Sequence, residues 1–298
     1  MDWDANGDVM VTSSQDKAVY LYTVNKAGVT NILQSKKHGV SAVRFTSEGP
    51  RHIVCSSCAE APAASGSVCY IHFVDNSGRR VLRGRGISPH PSRDLMLVST
   101  SDNVCSLYTY DSSSPVISYN ASEVIGVFDS MGTIFALYQS KTSGKSLYLY
   151  DIAKYQTPFS TFDITEILFS LEEVVSLDFN PNGKLLILGT DHRRLICINA
   201  MDGSFVFLCS YTDEDLHKVD CSDICYPSIS PDSKYLLCGC SNGDISIWDF
   251  EGRNICRFAG HEGPPYFTCF NPKKALVSSA CVKVAWWQPQ LLHEKEEC

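Results

Sequence analysis

The 298-residue sequence contains no run of 18 or more apolar residues, so no segment reads as a membrane-crossing helix. Its opening, MDWDANGDVMVTSS, lacks the basic and apolar stretches of a secretion signal. Helical periodicity of useful length is missing too. Positive charge is in deficit: 25 Lys and Arg stand against 33 Asp and Glu, a formal net charge of −8. A protein whose main partner is nucleic acid needs a basic footprint, so direct nucleic-acid binding is not expected. No glycine-rich phosphate loop of Walker or dinucleotide type occurs, and the eight histidines are dispersed with no H-E-x-x-H. Carboxylates such as Asp213, Glu214 and Asp215 fall in turns and read as solvated.

Cysteine is plentiful, but its spacing is not that of a metal site. Cys55-Ser56-Ser57-Cys58 has ligand spacing, yet structural zinc needs four ligands and no second such pair exists. Cys238 and Cys240, or Cys221 and Cys225, are the nearest alternatives. Without a secretion signal, the 14 cysteines read as reduced, buried small hydrophobes. No metal, cofactor or catalytic residue is expected, and a cytosolic or nuclear location follows.

What the sequence does have is a repeat. Its best copy is residues 235–261, YLLCGCSNGDISIWDFEGRNICRFAGH. Two apolar runs, 235–238 and 245–248, flank the turn Ser241-Asn242-Gly243-Asp244. Trp248-Asp249 closes the second run, and a third, 254–258, leads to Gly260-His261. Short strands joined by Asn-Gly turns, with Trp-Asp and Gly-His landmarks, are the mark of a WD-type propeller blade.

Laid along the chain, this pattern recurs. Third-strand ends fall at Tyr22, Val74, Tyr108, Tyr150, Ile198, Trp248 and Trp287, spaced 52, 34, 42, 48, 50 and 39 residues apart. A blade period is roughly 40–45 residues. Before most hairpins lies a further strand ending in a Pro- or Gly-containing turn, as at Asn180-Pro181-Asn182-Gly183, Ser230-Pro231-Asp232-Ser233 and Asn271-Pro272. The expected fold is all-β: a seven-bladed WD-repeat β-propeller over residues 1–290, followed by a charged tail, 291–298.

Two places break the pattern. Residues 1–4 supply only the tail of an inner strand, so closure between the first and last blades is expected to be incomplete. Between Gly84 and Ser88 only Arg85, Gly86 and Ile87 stand where the third blade's inner strand belongs, so that blade is expected to be shortened. Either blade is reduced, or sequence is missing there.

The polar landmarks read as structural. His261, Trp248, Asp249, Trp287, Asp16 and Asp102 lie at blade turns and strand ends, and His261, Ser279 and Trp287 are expected to share one network. Three basic clusters remain: Lys36-Lys37-His38; Arg79, Arg80, Arg83 and Arg85; and His192-Arg193-Arg194. Their plain reading is solvated loop. Their functional reading is recognition of phosphorylated or acidic peptides, with Lys36, Lys37, His38, Arg193 and Arg194 as candidate ligands.

Several stretches also carry a family likeness. They are Ser35-Lys36-Lys37-His38-Gly39-Val40, Pro158-Phe159-Ser160-Thr161-Phe162, the run 179–188 (FNPNGKLLIL), Ser230-Pro231-Asp232-Ser233, and the ending Ser278-Ser279-Ala280-Cys281 with Ala285-Trp286-Trp287-Gln288-Pro289. In order and over nearly the whole chain these resemble the WD repeat-containing protein 82 family, the Swd-type subunit of Set/COMPASS complexes. Departures are the missing N-terminal strands, the short third blade and a longer loop at 59–66.

The resemblance implies a non-enzymatic nuclear adaptor, monomeric within a hetero-complex. Its implied partners are subunits of a histone H3 lysine 4 methyltransferase or a protein phosphatase one complex, the RNA 3′-end processing and termination machinery, and the phosphorylated C-terminal domain of RNA polymerase II. The alternatives are a generic WD-repeat adaptor in ubiquitin ligation or trafficking, and a propeller enzyme with convergent His or carboxylate groups at its central channel.

Overall fold

The computed structural model describes residues 1–289 apart from 15, 17, 35–39, 58–67, 73–77, 83–85, 101–102, 113, 122 and 211–224. Apart from one turn of 3-10 helix, its regular elements are strands, gathered into seven antiparallel sheets taken up in chain order. The first holds β1 (Asp2–Trp3), β2 (Val9–Ser13), β3 (Ala18–Thr23) and β4 (Gly28–Gln34). The second holds β5 (Val40–Thr46), β6 (Gly49–Ser57), β7 (Val68–His72) and β8 (Gly78–Leu82). The third holds β9 (Gly86–Pro89), β10 (Leu95–Ser99), β11 (Val104–Thr109) and β12 (Ile117–Asn120). The fourth holds β13 (Glu123–Phe128), β14 (Ile134–Lys141), β15 (Gly144–Asp151) and β16 (Ser160–Asp163). The fifth holds β17 (Val174–Phe179), β18 (Leu185–Thr190), β19 (Arg194–Asn199) and β20 (Phe205–Ser210). The sixth holds β21 (Ser228–Ile229), β22 (Tyr235–Gly239), β23 (Asp244–Asp249) and β24 (Asn254–Ala259). The seventh has three strands: β25 (Phe267–Phe270), β26 (Val277–Ala280) and β27 (Val284–Trp287).

The two middle strands of a sheet are apolar on both faces because both faces are covered. β18 (LLILGT) buries five of its six residues and β19 (RLICIN) another five. One face of the fifth sheet packs on the fourth through Leu186, Leu188, Ile196 and Ile198 against Ala136, Tyr138, Leu147 and Leu149. The other meets the sixth through Ile187, Leu195 and Cys197 against Leu236, Cys238 and Trp248. The alternation of side chains along a strand sorts these residues onto opposite faces. Shared clusters likewise join the first sheet to the second, the second to the third and the third to the fourth. The sixth and seventh meet through Tyr226 and Phe267, whose rings stack 4.8 Å apart. Seven of the cysteines lie buried in these layers.

The ring returns on itself where the seventh sheet meets the first. Met1, Trp3, Met10 and Leu276 form a shared core with Tyr22, Phe267 and Trp286 packed on it. The Trp3 indole N–H donates to Ser278 Oγ at 3.1 Å. Asn271 Nδ2 donates to the Gly7 carbonyl at 2.8 Å, and Lys274 pairs with Asp8. No strand is shared across this seam among the described residues.

The expectation for the two irregular blades is half corrected. Residues 2–3 do form the short inner strand of the first sheet, with Asp2 opposite Val11 and Trp3 opposite Met10. The third sheet is not short of a strand: Gly86–Pro89 is its inner strand, paired to β10 from Gly86–Ser99 to Pro89–Met96. Four residues suffice because the strand's N–H and C=O groups need a partner on one side only. Pro89 is tolerated because it ends the strand.

A belt of turn contacts sets the angle between successive blades. In the first, fourth, fifth and sixth sheets the residue that follows the inner strand caps its own turn: Asp4 accepts from the Val9 N–H at 2.7 Å, Asp129 from Ile134 at 2.9 Å, Asn180 from Leu185 at 2.9 Å and Ser230 from Tyr235 at 2.9 Å. The same turns reach sideways. Ser47 Oγ donates to the Arg93 carbonyl at 3.1 Å, Ser130 Oγ to Pro181 at 2.6 Å, and the Asn182 N–H to Ser233 Oγ at 3.1 Å. His90 does both jobs. Its Nδ1 accepts from the Ser92 and Arg93 N–H groups, which leaves the proton on Nε2, 2.8 Å from the Gly132 carbonyl. Burial lowers the pKa of His90 and so favours this neutral tautomer.

Gly132 is held at φ +68°, and a Cβ there would lie 2.3 Å from the His90 ring. Gly132→Ala therefore meets backbone strain and a clash together. Urea unfolding should show a loss of about 1–3 kcal/mol or more. An unchanged midpoint would mean this turn does not set the spacing between the third and fourth sheets.

Candidate functional site

The cationic step at residues 192–194 lies at the β18–β19 turn, and its arginines are not the exposed pair the sequence reading offered for a peptide. Arg193 and Arg194 are 4% and 6% exposed. Arg193 has φ +58° in the turn, so its backbone also is fixed there. Arg194 Nε donates to Glu172 Oε1 at 2.7 Å, its Nη2 closes a second bond to Glu172 Oε2, and Nη2 also reaches the Ile167 carbonyl. The Phe169 ring covers the guanidinium from 3.9 Å. Glu172 is fully buried, and it also accepts from Thr190 Oγ1 and the Phe169 N–H. Lys145 completes the knot: its ammonium donates to the Glu172 carbonyl and stands 3.4 Å from Glu173. Glu173 in turn accepts from Tyr138 Oη at 2.5 Å and Ser140 Oγ at 3.2 Å.

The result ties the loop before β17 to two sheets. Burial works against ionising Glu172, but the bonds from Arg194, Thr190 and Phe169 outweigh it and hold the carboxyl below the usual range. Above this knot the loop presents Phe169 and Leu171 to solvent, 50% and 85% exposed. The sequence reading missed Glu172. Its signal was position: Glu172-Glu173 stands just before an inner strand, where the last blade carries Gly-His.

In the seventh sheet the structure brings His261, Ser279 and Trp287 together. Trp287 Nε1 donates to Ser279 Oγ at 2.7 Å, and His261 Nε2 stands 2.7 Å from the same oxygen. His261 Nδ1 lies 3.0 Å from Cys281 Sγ. Trp248 is buried between the fifth and sixth sheets. Asp249 caps the following turn, accepting from the Glu251 and Arg253 N–H groups and from Arg253 Nε at 2.7 Å. Asp16 accepts from the Ala18 N–H at 3.0 Å and from Tyr20 Oη at 2.5 Å. Lys36, Lys37, His38 and Asp102 lie outside the described residues, as do Arg83 and Arg85.

Charged groups converge at the inner strands. Asp2, Arg44 and Asp178 belong to β1, β5 and β17. Asp178 is exposed on its strand. Desolvation by the surrounding protein raises its pKa to about 6, with Arg44 opposing and Asp2 adding to the rise. Asp2 is spent on a tie, accepting from the Phe45 N–H at 2.8 Å. Arg44 donates to the Met1 carbonyl at 3.0 Å. One spelling suggests a nucleophile elbow, Gly239-Cys240-Ser241-Asn242-Gly243, but it spans a hairpin turn between β22 and β23, not the strand-to-helix bend that exposes a catalytic serine. Among the described residues no three His, Cys, Asp or Glu side chains gather to hold a metal ion.

The family described as WD domain, G-beta repeat matches residues 209–249. WD repeat-containing protein 82 of Drosophila melanogaster is 25% identical over 301 residues, covering 97% of this chain and 89% of the relative. COMPASS component SWD2 of Saccharomyces cerevisiae is 26% identical over 298 residues, covering 94% and 87%. Set1 complex component swd2 of Schizosaccharomyces pombe is 26% identical over 259 residues, covering 83% and 70%. Fold and repeat together define a WD-repeat β-propeller. Within that class the chain is similar along nearly its whole length to proteins named as members of the WD repeat-containing protein 82, or Swd-type, family, the likeness its sequence features suggested.

Glu172→Gln leaves Arg194 buried without its charge partner, which costs about 3–5 kcal/mol. Because the folded pKa of Glu172 is depressed, its contribution is complete above its ordinary value of 4.5 and is lost as pH falls through the folded value. Urea unfolding should therefore show a large gap between wild type and variant at pH 7 that narrows only once the pH has fallen below the ordinary value of 4.5. A gap independent of pH would contradict the ion-pair account.

Proposed function

We propose that this chain is a non-catalytic scaffold subunit of a Set1/COMPASS-type histone H3 lysine 4 methyltransferase complex in the nucleus. The observation that carries this is near full-length similarity to relatives named as components of those complexes. The structure is compatible with it, because the polar constellations at the blade turns are spent on holding loops and blades. His261 is engaged with Ser279 and Cys281, Asp249 with its turn, and Glu172 with Arg194. We read the seven sheets as seven blades, the last with three strands among the described residues. A rigid ring with loops on two faces and strand edges on its rim offers several segments of other proteins a preformed surface.

Service in a protein phosphatase one complex and in RNA 3′-end processing belongs to the same proposal. So does recognition of the phosphorylated polymerase II tail. With Arg193 and Arg194 buried, Lys36, Lys37 and His38 are the cluster that carries the phosphopeptide role.

Affinity purification of the full chain from nuclear extract, followed by mass spectrometry, should recover a SET-domain methyltransferase subunit. Recovery of ubiquitin-ligase or trafficking subunits in its place would overturn the assignment. Lys36→Ala with Lys37→Ala should weaken binding of a serine-phosphorylated polymerase-tail peptide about tenfold at fixed salt, the scale of one or two charge-assisted hydrogen bonds. Unchanged affinity would remove that role.

A further inference from the structure

The thiols of Cys105, Cys197, Cys209 and Cys269 are desolvated, and burial pushes each of them up to about 12. The nucleophile is the thiolate, so these four are inert at neutral pH. Cys281 differs in place and in partner. It opens the three-residue turn Cys281-Val282-Lys283 between β26 and β27, and its N–H donates to the Lys283 carbonyl at 3.1 Å. Cys281 is partly exposed there, and Val282 beside it is 98% exposed. The Cys281 sulphur lies 3.0 Å from His261 Nδ1.

The groups behind His261 decide which atom of that contact carries the proton. The Trp287 indole N–H can only donate, so Ser279 Oγ accepts it at 2.7 Å. Ser279 is fully buried, and its own hydroxyl proton needs an acceptor. The described residues place one within reach, His261 Nε2 at 2.7 Å. Burial lowers the pKa of His261, so at pH 7 the ring is neutral and holds a single proton. With Nε2 accepting, that proton sits on Nδ1 and is donated to Cys281 Sγ.

The imidazole is held in place as well as in tautomer. Its ring packs edge-on against Trp287 at 6.1 Å, and the His261 backbone N–H donates to the Gly243 carbonyl at 3.3 Å. A nucleophilic atom, a nitrogen within hydrogen-bond reach of it and a third group that orients that nitrogen are the parts of an activated nucleophile. An N–H aimed at sulphur bonds it most strongly when the sulphur is anionic, as it is when a thiol attacks.

We propose that Cys281 is a modification site, a surface thiol positioned by His261 that reacts with hydroperoxides and with soft electrophiles. The thiol gives its proton to water, and the thiolate attacks one peroxide oxygen. An S–O bond forms as the O–O bond breaks, and the leaving oxygen takes a proton from water. Sulphur loses two electrons and becomes a sulfenic acid, while the peroxide is reduced to water or an alcohol. His261 is a positioning residue in this step and keeps its Nδ1 proton throughout.

The test compares two thiols in one folded chain. Cys256 is exposed on β24 without a histidine partner among the described residues, and serves as the internal standard. The full chain is treated with limiting iodoacetamide at pH 7, and its peptides are followed by mass spectrometry. Cys281 should alkylate about tenfold faster than Cys256 although it is the less exposed, the scale of one charge-assisted hydrogen bond. After dilute hydrogen peroxide, dimedone should label Cys281 before Cys256. An equal or slower rate at Cys281, or label on Cys256 first, would overturn the site. Two variants test His261. His261→Asn sets an amide N–H where Nδ1 stands and should keep the fast rate. His261→Phe keeps a ring without the donor and should slow Cys281 about tenfold, with Cys256 unchanged. A ring that merely packed the turn would loosen it when replaced, so faster alkylation in His261→Phe would overturn the role of His261. So would an Asn variant as slow as the Phe variant.

Discussion

The covering of both faces of every sheet is the constraint on which the rest depends. A strand such as Leu185–Thr190, buried at five of six positions, has no solvent face to offer. Each sheet therefore needs a neighbour on each side, and a row of such sheets is satisfied only when its ends meet. They meet at the seam of Trp3, Met10, Leu276 and Trp286, where apolar contact and a few hydrogen bonds join the first sheet to the seventh. The joint between the fourth and fifth sheets buries a cluster of fifteen residues. The seam, built around a two-residue inner strand and a three-stranded sheet, buries four.

The polar groups follow from the same constraint. Blades stacked on apolar faces would slide without fixed points, and the turn belt from Ser47 to Asn271 supplies them. Glu172 enters the joint fully partnered, by Arg194, Thr190 and the Phe169 amide. An unpaired charge there would cost several kcal/mol, about what breaking a buried pair costs. That economy explains why residues with the look of a site, such as His261 or Arg194, are engaged in structure. The exposed Leu171, held on its pinned loop, is what the ring leaves for other molecules.

Much of this was legible in the sequence, because a repeat announces itself several times over. The apolar doublet strands, the Asn-Pro-Asn-Gly and Ser-Pro-Asp-Ser turns and the Trp248-Asp249 step located the sheets and the all-β class. Residues 86–89 were not read as a strand because Gly and Pro at the ends of a four-residue segment look like a turn, and only pairing with β10 makes them extended. Outer strands were hard to see for a related reason. β24 (NICRFA) has five of six residues exposed and lacks the apolar alternation that marks a core strand. At the site, charge pattern alone suggested that Arg193 and Arg194 face solvent. Their burial depends on Glu172, some twenty residues away, and no local spacing encodes that pairing.

Native-state hydrogen exchange followed amide by amide tests the central claim most directly, namely that the ring is held shut by side-chain contacts at one seam. Amides of Asp2–Trp3 and of the seventh sheet should exchange through a local opening of lower free energy than those of the fourth and fifth sheets, whose middle strands should exchange only with global unfolding. Equal protection of the seam and of the fourth and fifth sheets would contradict the account.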